Sequence, residues 1–71
     1  MHKISRIHPI LEILNSSPLR VSQIMIQRDS RNSKVQEVAD LARTHQISIV
    51  FVPKKHLDRF DRHHQGLVAF V

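Results

Sequence analysis

The chain has 71 residues, 41% of them hydrophobic, and eleven Lys and Arg against six Asp and Glu give it a formal charge of +5. That length holds one domain with one small core, the apolar content argues against intrinsic disorder, and the absence of cysteine excludes disulfides and thiolate metal sites. The cationic excess favours a polyanionic partner such as RNA or DNA, while ordinary solubility explains the same charge, and composition leaves both open.

Met1 to Arg6 is polar apart from Ile4 and reads as a frayed arm or a small edge strand. It has no apolar signal-peptide core, and no later run approaches the ~20 apolar residues that cross a bilayer. No membrane association and a cytoplasmic location are therefore expected. His8-Pro9 opens a helix, because proline at the first helical position loses no intrahelical bond. Ile10, Leu11, Ile13 and Leu14 follow at helical spacing, and Asn15-Ser16-Ser17-Pro18 closes the segment. Val21 to Gln27, VSQIMIQ, reads as a strand, and its three consecutive apolar residues suit one covered on both faces.

Arg28 to Lys34, RDSRNSK, is a basic loop. Ser33 and Gln36 have capping-box spacing, with Asn32 as the alternative cap. Val35, Val38, Ala39, Leu41 and Ala42 then mark the apolar face of a second helix. Ile47 to Val52, ISIVFV, is a second strand rich in β-branched residues. Pro53 opens a short helix running to about Asp61, with Leu57 and Phe60 three apart. Arg62-His63-His64-Gln65-Gly66 forms a polar turn, and Leu67 to Val71 a third apolar strand. The alternation of helix and strand implies an α/β fold with helices packed on a central sheet. The first two strands, joined through a full helix, suit a parallel pair. The position of the last strand stays open.

The candidate chemistry is binding. His63-His64 and His56 lack a carboxylate or cysteine at ligand spacing, so no metal site is assigned. No nucleophile motif occurs, and a single glycine permits neither a P-loop nor a dinucleotide loop. Asp58 and Asp61 read as solvated surface, and no catalytic residue is assigned. Two basic clusters remain. Arg28, Arg31 and Lys34 surround the start of the second helix, and Lys54, Lys55, Arg59 and Arg62 surround the third. With Tyr and Trp absent and the three Phe in apolar segments, contacts to a nucleic-acid backbone fit better than base stacking. A solvated basic rim is the plain alternative for each cluster.

Two segments carry a resemblance. Ile7-His8-Pro9-Ile10-Leu11-Glu12-Ile13-Leu14 and His63-His64-Gln65-Gly66-Leu67-Val68-Ala69 resemble the opening and closing motifs of the N-terminal substrate-binding domain of the SpoU/TrmH family of RNA ribose 2′-O-methyltransferases. The intervening order and spacing of elements also match, so the resemblance spans nearly all 71 residues. It implies a three-layer α/β/α domain with a small mixed sheet, like RNA-binding ribosomal-protein domains. It further implies that residues 1–71 recruit structured RNA, ribosomal or transfer. A knotted catalytic domain of the same parent chain is then expected after residue 71. That domain would bind S-adenosylmethionine, form the homodimer and transfer the methyl group, so the enzyme is the parent and not this segment.

His8, His64, Gln65 and Gly66 are the residues that match the family motif. Gly66 suits a tight turn into a buried strand, and His64 and Gln65 either hold that turn by hydrogen bonds or contact RNA or the partner domain. The family's usual glycine before the Ile-His pair is replaced here by Ser5-Arg6. Either the backbone differs there or the position tolerates a side chain, which would place Arg6 facing RNA. Two other functions fit the same residues: a standalone RNA-binding or ribosome-associated protein of this fold, and a packing or dimerisation module.

Overall fold

A computed structural model of the protein describes residues 2–71; Met1, the start of the expected arm or edge strand, lies outside them. The chain forms β1 (Lys3–Ser5), α1 (Ile7–Ser16), a 3-10 turn (Pro18–Arg20), β2 (Gln23–Gln27), α2 (Ser33–Thr44), β3 (Ser48–Val52), α3 (Lys54–Asp58) and β4 (Leu67–Phe70). The strands make one mixed sheet of order β1-β4-β2-β3. β2 and β3 are parallel, with Gln27 opposite Val52. β4 is antiparallel to both of its neighbours, β1 and β2. The opening stretch is thus an edge strand, and the last strand enters between the first and second.

Alternation along the strands divides the core into two layers. Ile24, Ile26, Leu67 and Ala69 point to one face and pack with Ile10 and Leu14 of α1 and Val35, Val38, Ala39 and Ala42 of α2. Met25, Val52 and Val68 point to the other, where Leu57 of α3 covers them with Phe60 and Phe70. The result is the expected α/β/α sandwich. Ile24, Met25 and Ile26 are all buried, which explains why β2 lacks polar alternation.

The helix ends differ in detail from the sequence reading. α1 starts at Ile7, so Pro9 is its third residue and still within the first turn, where its missing N–H costs nothing. Asn32, not Ser33, caps α2: its side chain accepts a bond from the Lys34 N–H at 2.9 Å. The extended backbone at Asn32 puts its carboxamide in reach of that N–H, and Ser33 is already helical. At the other end, Gln46 N–H reaches the Arg43 carbonyl at 3.0 Å and Ile47 N–H the Ala42 carbonyl at 2.8 Å. This Schellman closure holds Gln46 at φ 58°, a conformation usually given to glycine. Pro53 caps α3 from outside, and that helix ends at Asp58, short of Asp61.

Candidate functional site

Topology decides where the chemistry collects. β1, β2 and β3 run in one direction, and each leads directly into a helix. The N-terminal ends of all three helices therefore emerge at one end of the sheet. The turn before β4 enters at the same end, since Leu67 lies opposite Ile26. Backbone bonds knit this rim together: Gln27 N–H to the Gly66 carbonyl and Arg28 N–H to the Val52 carbonyl, both at 2.8 Å.

The first cluster and the start of the second, separate in sequence, share this end of the molecule. Arg28, Arg31 and Lys34 are exposed on and after the β2–α2 loop. Lys54 and Lys55 begin α3, and Arg59 and Arg62 are exposed just beyond it. Lys54, Arg59 and Arg62 line one cleft together with Asp58. Arg6, at the β1–α1 junction, lines another with His63 and Gln65. A third cleft joins Ile7, His8 and Leu11 of α1 to Lys34 of α2 and again to Gln65. Lys34 is 3.5 Å from Glu37 and Lys54 3.3 Å from Asp58, both pairs exposed and of little net worth. Among the described residues, Arg6, Arg28, Arg31, Lys55, Arg59 and Arg62 have no carboxylate within ion-pair distance.

The residues of the closing motif divide between structure and surface. His64 is buried, and both ring nitrogens are used. Nδ1 accepts the Gly66 N–H at 2.8 Å, and Nε2 lies 2.7 Å from Asp58 Oδ1. An Nδ1 that accepts carries no proton, so the proton sits on Nε2 and is donated to Asp58. His64 thus ties the end of α3 to the turn and has no nitrogen free for a ligand. Gly66 has φ 95°, which an L side chain resists. Gln65 stays exposed. Its Oε1 accepts the Ile7 N–H at 2.9 Å, which caps the start of α1 from the turn before β4. His8 is exposed in the first turn of α1.

Asp58 and Asp61, which read as solvated surface, are structural. The bond from His64 is the main cause holding the Asp58 carboxyl below its usual range, with Lys54 adding to it. Asp61 accepts from the Ser5 hydroxyl and, at 2.8 Å, from the His63 N–H. These bonds, the serine first, lower its carboxyl in the same way. Asp61 thus fastens the loop after α3 to the end of β1. No sequence spacing announces this pairing, because it depends on the path of the loop across the sheet. Among the described residues no three metal-ligating side chains come together, and no helix is long and apolar enough to cross a membrane.

Comparison with known proteins places these features. No curated protein matches the chain significantly. A solved structure of a protein of unknown function from Bacillus halodurans C superposes with a TM-score of 0.73 at 13% identity, covering 94% of this chain and 68% of that one; this likeness is one of fold. Residues 7–71 match the family model described as RNA 2′-O ribose methyltransferase substrate binding. The match takes in both terminal motifs and every element after β1, so the chain belongs to this family and is its substrate-recognition module.

Proposed function

We propose that the chain recruits structured ribosomal or transfer RNA to a ribose 2′-O-methyltransferase, holding the RNA backbone along the cationic rim. The observation that carries this reading is the convergence of Arg6, Arg28, Arg31, Lys34, Lys54 and Lys55 on one end of a domain of this family, with Arg59 and Arg62 extending the charge along the cleft beside α3. Guanidinium and ammonium groups bind phosphate oxygens without reading sequence. The aligned N–H dipoles at the starts of α1 and α2 add positive potential at the same end. The clefts at Arg6 and at Lys54 are open and carry charged and polar side chains, which suits a backbone better than an enclosed small molecule.

S-Adenosylmethionine does not fit these residues. Its binding calls for an enclosed apolar pocket with close backbone approach, whereas the single glycine is packed against Ser30 and Val35 in the turn. In this reading the cofactor and the methyl transfer belong to another domain of the parent enzyme, and no residue of this chain takes part in the chemistry.

Titration with a structured RNA at low and at moderate salt tests the reading. Affinity should fall steeply as salt rises, through counterion release. Replacing Arg28, Arg31 and Lys34 together should weaken binding while leaving the circular dichroism spectrum unchanged. Absence of binding at low salt contradicts the proposal.

A further inference from the structure

Among the described residues three large apolar side chains stay exposed, Leu19, Val50 and Phe51, and Phe51 is the aromatic one. Phe60 and Phe70 meet edge-to-face at 5.4 Å within the layer under α3. Phe51 belongs to neither core layer and is 44% exposed. It sits on β3, the outer strand of the sheet, opposite Ile26 and one pair short of the rim. Ile49, on the same face of β3, and Ile47, just before the strand, pack into the α1–α2 layer, but Phe51 does not follow them. Arg28 is the cation tied to the backbone beside it, its N–H bonded to Val52, the next residue, whereas Lys54 and Lys55 open α3 on the opposite face of the sheet.

An exposed ring with an arginine beside it suits a nucleotide: the base covers the apolar ring and a flanking phosphate meets the charge. A second copy of the chain, pairing through the open edge of β3, would bring its own charge of +5 against the same arginine. We propose that Phe51 is a stacking platform for one unpaired base of the bound RNA, with Arg28 holding the phosphate beside that nucleotide. This inference rests on the RNA-recruiting reading and sharpens it: the ligand has a bulge or loop and not only a regular helix.

The chain contains no Trp or Tyr, so Phe51→Trp supplies a single fluorophore at the position in question. Two RNAs serve as probes, a stem closed by an adenine-rich loop and the same stem as a blunt duplex. Phe51→Leu keeps an apolar side chain but no aromatic face, and should weaken binding of the looped RNA by about 5- to 100-fold, the range for one base stacked on an aromatic side chain. Duplex binding should be unchanged. Phe51→Trp should retain looped-RNA affinity, and its emission should be quenched by the loop and not by the duplex. Equal binding of the looped RNA by Phe51→Leu and the parent chain overturns the stacking role while leaving the RNA-recruiting reading intact. Emission that changes with protein concentration in the absence of RNA overturns it in favour of pairing between copies. If the parent chain binds neither RNA, both readings fail together.

Discussion

Arg6 joins β1 to α1 with φ 77° and ψ 153°, a region essentially confined to glycine. The family resemblance led to a glycine near this position, and the structure answers the question the substitution raised: the backbone keeps the glycine conformation and the arginine bears the strain. Arg6→Gly is expected to stabilise the domain by about 1 kcal/mol, the strain relieved less the added entropy of the unfolded chain. Urea denaturation measures this, and a lower midpoint would count against the strain. At Asp58 the lowered carboxyl has a defined consequence for pH. A group more acidic in the folded state stabilises fully above the ordinary carboxylate value, and that contribution is lost as pH falls through the lowered one. Asp58→Asn should therefore flatten the loss of stability below about pH 4, as followed by circular dichroism during acid titration. Superimposable acid profiles would mean that the His64 contact does not hold the carboxylate.

At the level of elements, the apolar patterns located every helix and the three strands from β2 onward, because each buries a face whose period shows in the residues. What the patterns left ambiguous was how elements start. Asn32 and Ser33 both have the chemistry of a cap, and only the backbone angles decide between them. Asn32→Ala should cost about 1 kcal/mol, in line with the loss of a cap, and Ser33→Ala much less; a denaturation series that reversed this order would place the cap at Ser33. β4 was legible as a strand but not as the partner of β1 and β2. Its neighbours are set by Ile4, Ile24 and Ala69 meeting across long separations, and no local signal carries that. The Gln65 cap on α1 was hidden for the same reason: donor and acceptor lie 58 residues apart.

For the molecule as a whole, the cations were legible one by one but their union was not. The first cluster and the start of the second become parts of one rim because β1, β2 and β3 share a direction, a property of the complete sheet. The same topology sends Arg20, before β2, and Arg43, in the last turn of α2, to the opposite end. These two arginines provide a charge-matched control for the central claim that RNA binds the rim and is not merely attracted to a basic protein. The direct measurement compares Arg28→Gln/Arg31→Gln with Arg20→Gln/Arg43→Gln, titrating one structured RNA across a salt series. Each lost phosphate contact should reduce the slope of log affinity against log salt by about 0.7 to 0.9. The rim variant is predicted to lose about 1.5 from the slope, with weaker binding at every salt concentration, and the far-end variant to behave almost like the parent chain. Equal losses in the two variants would contradict a localised RNA-binding rim.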